Sequence, residues 1–420
     1  TSPIPVSKCL SEGIDTAIPV ITNKSNIEPE AISLIIGGLN GSFSYNQERI
    51  MRYQRAFSGR QGLMKCGLTP LPNNNAHIAV FKDNKHKISA SFGGCMSCDN
   101  ILCANCSIGL VKERNQVISN TLTEAKRLGY ITYFPTITIN KVGSLSRRQK
   151  ALNFVFNKVI ARDAKAYCRR KGVQVYEYCK GHDLTINLKN KDVFHPHLHS
   201  ILIIDKEVEG LVSYIWKRIR KIMKDLGFSL SKLGFKMPII KTLEGIQSYI
   251  NKTYQSMAYE ITSTKKKGKG DGLSFFISKE AANPTPRGIA IYKEVVRETK
   301  GLRWYSQSRG FKAIGETHMS NEVKEEDQKE EIFRQDITIN LWLAVNEVEN
   351  VKPLLKDILV IKFENPDCYH MEWEEFMVLV EKSKYDTKCS HSKIDFYKRR
   401  LTDILGERLS EIRKIINKTY

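Results

Sequence analysis

No stretch of the 420 residues is long and apolar enough to span a bilayer, so the sequence gives no membrane-crossing helix. Its first residues lack a basic segment followed by an apolar one, and no secretory signal is expected there. Both absences lead us to expect a soluble, cytoplasmic protein. Acidic residues are also short: 45 Asp and Glu stand against 66 Lys and Arg, a formal net charge of +21 and a sequence pI near 9.4. That imbalance makes a polyanion the expected partner, and nucleic acid is the commonest one. An anionic membrane surface is the rival, but no strongly amphipathic basic helix near a terminus favours it. The length is enough for two or three domains.

Histidine is scarce, nine residues in all, yet three fall within Phe194-His195-Pro196-His197-Leu198-His199-Ser200-Ile201-Leu202-Ile203-Ile204. From Leu198 on, aliphatic and β-branched residues run without a breaker, as in a buried strand. Side chains alternate across a strand, which places His195, His197 and His199 on one face and Leu198 on the other. Two imidazoles held two residues apart on a rigid strand form half of a transition-metal site. The competing interpretation is a set of satisfied core histidines. His195 is set aside because it borders Pro196 at the start of the strand.

Of ten cysteines, four form Cys95-Met96-Ser97-Cys98 and Cys103-Ala104-Asn105-Cys106, two CxxC pairs separated by four residues. Each CxxC turn offers two thiolates to one ion, and two turns complete a four-cysteine structural zinc site in a reducing compartment. Cys66 could substitute for one of the four. No thioredoxin-like βαβ context surrounds these pairs, which argues against a redox role.

In chain order, residues 1–65 read as an arm leading into a basic segment. There Arg49, Arg52, Arg55 and Arg60 interleave with Tyr45, Tyr53 and Phe57, a pattern fit either for tracking a phosphate backbone or for a solvated helix. Residues 66–128 read as a β-hairpin (His77–Phe81 and Lys87–Phe92) with the four-cysteine zinc module, followed by a helix from Ile108 ended by Gly129. Over 129–315 we expect an α+β domain. It would comprise a strand at Tyr130–Ile139 interrupted by Pro135, a helix opened by Ser144, a short strand Val173–Tyr178, and the histidine strand. A helix over Val208–Leu226, a short strand and a helix from Leu243 to about Ile261 follow. The fold class is thus α+β, a mostly antiparallel central sheet with flanking helices and the histidines on a central strand. Residues 316–335 read as an acidic linker, and 336–420 as a small accessory domain, α+β or helical, with Trp342 and Ile358–Ile361 in its core.

A histidine pair needs a third ligand. Glu177, mid-strand in the neighbour of the histidine strand, is the best candidate from sequence. The Leu243–Ile261 helix carries Tyr249 and Lys252 on one flank of its apolar stripe and Tyr254 near the other edge. Tyrosine can attack a phosphodiester and lysine can stabilise developing charge, although tyrosines in a helix are more often core or rim residues.

Together, Cys66-Gly67, the CxxC pairs, Glu177, the His-Pro-His-Leu-His run at 195–199, the tyrosine helix and Arg303-Trp304-Tyr305-Ser306-Gln307-Ser308-Arg309-Gly310-Phe311 resemble the HUH endonucleases. More narrowly, they resemble the Rep proteins that initiate rolling-circle plasmid replication, over about residues 66–312. The resemblance implies an HUH nuclease core in which His197, His199 and Glu177 bind one Mn²⁺ or Mg²⁺. A tyrosine would then attack the scissile phosphate, leaving a 5′-phosphotyrosyl link and a free 3′-OH that primes synthesis. The family pattern is tyrosine or glutamate, two residues, lysine, tyrosine. Here Tyr249-Ile250-Asn251-Lys252 is followed by Thr253, with the next tyrosine displaced to Tyr254, so Tyr249 is the first candidate nucleophile and Tyr254 the second. Single-stranded DNA and origin DNA are the implied partners, with a host helicase and a second copy of the chain as candidates beside them. The alternatives are a transposase or relaxase with the same core, a metal-dependent hydrolase using water, and a non-catalytic zinc-containing DNA-binding regulator.

Overall fold

A computed structural model describes residues 43–72, 75–84, 86–139, 143–189, 193–230, 234–240, 271–322, 329–349, 351–364, 371–386 and 389–417. It is α+β, with two antiparallel sheets, and its contacts divide the chain into two units. Among the described residues, no helix is long and apolar enough to cross a membrane.

The larger unit takes residues 49–67 and 96–328. Its sheet is built round two long strands, β5 (Tyr176–Ile186) and β6 (Phe194–Ile204), antiparallel over their full length. On its other side β6 pairs with β3 (Ile131–Tyr133) and β4 (Thr136–Thr138). These are one run broken at Phe134-Pro135, where proline has no N–H for the ladder and Ser200 donates to the Pro135 carbonyl at 2.8 Å. β7 (Phe235–Lys236) pairs with β4, while β8 (Asp271–Gly272) and β9 (Tyr305–Gln307) pair with β5. Pro196 lies beyond the stretch of β6 paired with β4. There β6 is an edge, where proline is tolerated.

Period-two alternation gives this sheet two faces. Leu198, Leu202, Ile204 and Tyr176 enter a core with the helix Leu145–Val155, its π-helical continuation Phe156–Ala164, the short α-helix Lys165–Arg170 and the helix Leu211–Asp225. Ser144 caps the first of these by accepting from the Arg147 N–H. On the opposite face Ile201, Ile203, Cys179 and Phe134 pack with Ile118 and Leu122 of the helix Cys106–Arg127 and with Phe311 of the helix Arg309–Glu322.

The smaller unit contains residues 68–95 and 329–420. β1 (Ala76–Lys82) lies between β2 (Ile88–Gly93) and β10 (Glu330–Ile337), antiparallel to both. Helices Ile339–Glu347, Val351–Glu364, Met371–Ser383 and His391–Asn417 share its core through Trp342, Phe376 and Leu401.

The domain boundaries therefore differ from those expected. The hairpin placed with the cysteines at 66–128 belongs with the C-terminal residues, because β10 supplies the strand that covers β1. The supposed 316–335 linker is helix as far as Glu322 and strand from Glu330, and 323–328 lie outside the described residues. The basic segment near residue 50 is the helix Phe43–Phe57. Its Tyr53 is buried against Phe57 and Tyr292, so this ring is committed to the core rather than to bases. β5, expected to stop at Tyr178, runs eight residues further to Ile186.

Candidate functional site

Four thiols converge, from Cys66, Cys98, Cys103 and Cys106, their sulfurs all within 4.8 Å of one another. Among the described residues no other group of three or more His, Cys, Asp or Glu side chains is so closely gathered. Cys66 Sγ lies 3.3 Å and Cys98 Sγ 3.7 Å from Cys106 Sγ. A tetrahedral zinc with Zn–S of about 2.3 Å holds its sulfurs roughly 3.8 Å apart, so the donor set and spacing fit zinc. Local turns build the cluster. The Asn100 side chain accepts from the Leu102 N–H, and the Cys103 N–H closes on the Asn100 carbonyl. Gln54, fully buried, clamps the same turn with both ends of its amide, donating to the Leu102 carbonyl and accepting from the Ala104 N–H. Arg55 donates to the Cys66 carbonyl at 3.3 Å.

Crowding drives the thiols apart in acidity. Hydrogen bonds from Cys103, Cys66 and Cys98 hold Cys106 far below the ordinary thiol range. The hydrogen bond to Cys106, with burial behind it, pushes Cys103 well up. Cys103 also lowers Cys66 to about 7. A cation with four thiolate ligands resolves this competition for protons.

Cys95 is the correction. It was expected as the first ligand, but it forms a backbone bridge with Pro70 in the smaller unit and takes no part in the cluster. Cys66, the substitute noted from sequence, stands in its place. The chain leaves for the hairpin after Cys66-Gly67 and returns at Met96, where the Gly67 N–H donates to the Met96 carbonyl.

The histidines lie where the alternation put them, on the β6 face bearing Ile201 and Ile203. β4 lies alongside, with Thr138 opposite His197 and Thr136 opposite His199. Each threonine Oγ1 pairs with the Nδ1 of its histidine, at 2.9 and 3.1 Å. These contacts hold both rings through Nδ1. With the proton on Nδ1 and the threonine accepting it, Nε2 is the nitrogen open to a ligand, the arrangement of outer partners of metal-binding histidines. The His199 ring also stacks on Phe134, with centroids 5.7 Å apart. From β5, Asp183 stands directly opposite His197, with its Oδ2 3.7 Å from His199 Nε2. Burial pushes the Asp183 carboxyl up, but its bond to His199 and the charges of His199 and His197 outweigh this and hold it below the usual range. Burial lowers His197 and favours the neutral ring that a metal requires.

Glu177 is not part of this group. It shares the face of the histidines but pairs with Ile203, six residues along β5 from Asp183, roughly 20 Å at 3.4 Å per residue. Its partner is Lys165 at 3.8 Å, and its Oε2 is buried without a hydrogen bond. A Cβ at Gly310 would come within 2.5 Å of the Glu177 carboxyl carbon, so this glycine lets the helix Arg309–Glu322 close on the strand. Glu177 serves helix docking.

Asp183, Thr136 and Thr138 were missed. Leu184 and Ile186 alternate with Asp183 and Thr185, a period-two signal that β5 continues past Tyr178. Tyr249, Lys252 and Tyr254, the expected nucleophile and its helper, lie outside the described residues. No family model, curated protein or solved structure matches the chain.

Proposed function

We propose that the chain is a metal-dependent endonuclease of the HUH type that nicks and rejoins single-stranded DNA, as initiators of rolling-circle replication do. One observation carries this proposal. Two Thr-anchored imidazoles and one carboxylate meet on the same face of adjacent strands, on a protein of net charge +21.

His197, His199 and Asp183 are the residues that would hold Mn²⁺ or Mg²⁺, with Asp183 in place of Glu177. The cross-strand register of Asp183 with His197, and the 3.7 Å from Asp183 Oδ2 to His199 Nε2, support this set. The N, N, O set suits manganese better than magnesium. The bound cation would supply polarisation of the scissile phosphate. Thr136 and Thr138, accepting from Nδ1–H, would hold the rings with Nε2 toward the metal, and Phe134 stacks on His199. In the transfer step the tyrosine oxygen, Tyr249 first and Tyr254 second, forms a bond to phosphorus as the bond to the 3′ oxygen breaks. The phenol proton leaves to solvent and the 3′ oxygen takes one up, giving a 5′-phosphotyrosyl link and a free 3′-OH. Lys252 would steady the charge on the phosphate.

Incubating the full chain with single-stranded DNA carrying candidate origin sequences and Mn²⁺, then running a denaturing gel, tests this. A covalent adduct lost on chelation and in Tyr249→Phe or Tyr254→Phe is expected. Cleavage without an adduct points to a water nucleophile. Binding with neither product favours the zinc-containing regulator, for which the four-cysteine cluster speaks.

A further inference from the structure

Two helical elements cover the sheet face opposite the histidines, Leu211–Asp225 and the run from Leu145 through the π-helical stretch to Arg170. Their apolar stripes enter one core, and they are joined across their flanks. Arg218 donates to Asp163 at 2.5 Å, and the Tyr167 and Tyr214 rings stack at 4.4 Å. On the outward side of the first, Lys217, Arg220, Lys221 and Lys224 are all exposed. At 100° per residue they fall within a wedge of about 100°. The neighbouring element adds Arg162, Arg169 and Arg170, likewise exposed.

This charge is not balanced locally. None of Lys217, Arg220, Lys221, Lys224, Arg169 and Arg170 is ion-paired with a carboxylate among the described residues. Asp163, the carboxylate between the two elements, is shared by Arg162 and Arg218. Rows of cations so placed attract a polyanion by releasing its counterions.

We infer that this helical face binds the phosphate backbone of double-stranded nucleic acid without regard to sequence. Single strands are held by stacking bases on free aromatic rings. Here Tyr167 and Tyr214 stack on each other, and Trp216 stacks on Phe235 at 5.8 Å. The exposed ring of Phe154 has Lys158 5.8 Å over its face, so cations far outnumber open rings and backbone contact is the mode. Lys217 to Lys224 spans about 10 Å along the axis, and packed helices lie roughly 8–10 Å apart. Cations at that spacing can meet phosphates along and across a groove. A membrane fits less well, because the apolar stripes that would insert are already buried in the core. The surface is separate from the histidine face, so its function stands whether or not the chain nicks DNA.

Anisotropy of a labelled 20-base-pair duplex of arbitrary sequence, titrated with the full chain between 50 and 200 mM KCl, tests the inference. Each lost phosphate contact flattens log K against log salt by about 0.9. Replacing Lys217, Arg220, Lys221 and Lys224 together by Gln should flatten that slope by about 3.6 if each meets a phosphate, and weaken binding at least tenfold at 100 mM salt. Lys382→Gln with Lys384→Gln, exposed charges of the smaller unit, should do neither. All six side chains are exposed, so the fold is retained, and a melting curve checks it. An unchanged slope in the fourfold variant overturns the inference, as does an equal loss in the Lys382/Lys384 control. Loss of binding to phosphatidylserine vesicles with duplex binding intact also overturns it, in favour of a membrane. Absence of a tyrosine adduct alongside a flattened slope would remove the nickase proposal and leave this surface standing.

Discussion

Asp183 stands directly across the β5–β6 ladder from His197, with its Oδ2 3.7 Å from His199 Nε2. Cross-strand neighbours share a face, so this register sets which carboxylate the histidines meet. Asp183→Asn should weaken Mn²⁺ binding at least tenfold and remove the covalent DNA adduct, whereas Glu177→Gln should leave Mn²⁺ affinity unchanged. Calorimetric titration of Mn²⁺ into each variant checks this, and the reverse order would return Glu177 to the site.

The threonines behind the histidines give a subtler effect. Thr138→Val keeps the shape of the side chain and removes the hydroxyl that holds His197 Nδ1. Losing such an outer partner typically costs 10–100-fold in metal affinity or activity. We expect a loss of that order in Mn²⁺ affinity, with little change in melting temperature.

At the cysteines, metal analysis of purified protein should find one zinc per chain. Cys66→Ser should lose it and Cys95→Ser should retain it. Zinc released by a thiol-blocking reagent and read with a chromogenic chelator gives the stoichiometry, and equal retention in both variants would contradict the cluster.

Gly310→Ala would place a methyl within 2.5 Å of the Glu177 carboxyl carbon. That carboxyl is the end of a flexible side chain and can swing aside, and alanine favours the helix. The net cost should therefore fall at or below the low end of overpacking, about 1 kcal/mol, readable as a lower urea midpoint. Combining it with Glu177→Ala should recover part of the loss, a coupling that a double-mutant cycle measures.

Lys180 gives a pH signature. It is buried on the sheet face away from the histidines, donates to Asn153 and Asn157, and lies 4.8 Å above the Phe156 ring. Burial, with Arg303 nearby, brings its ammonium down to about 8 from an ordinary 10.5. Between these values the unfolded chain binds more protons than the folded one, so stability should rise with pH across that window. The slope from this group is about 1.4 kcal/mol per pH unit. Urea unfolding at pH 8, 8.5 and 9 should show a slope that Lys180→Met loses.

Much of this was legible where local chemistry decides. Ser144, Gly129 and Gly227 mark helix ends by capping and by positive φ, and the structure ends its helices beside them. The histidine face followed from alternation alone. What escaped was pairing between distant segments. Cys179-Lys180-Gly181-His182-Asp183 has weak strand propensity, and β6 imposes the strand on it by full-length pairing. Cys95 is the nearer cysteine in sequence, but the hairpin returns to the chain just after it, and Cys66, across that insertion, is the one that meets Cys98. A sequence window sees spacing along the chain and not which ends of an insertion come together.

The pairing of β1 with β10 also has a consequence for biosynthesis. The two strands are separated by about 250 residues, and at 5–20 residues per second the ribosome needs roughly 12–50 seconds to make the intervening chain. Through that interval one side of β1 has no native strand to pair with, and unpaired edges recruit other chains. Nascent chains crowded on one message are therefore exposed to hairpin-to-hairpin association until Glu330–Ile337 emerges. Slowed elongation before residue 330 should raise the insoluble fraction, and a separately supplied segment containing β10 should lower it.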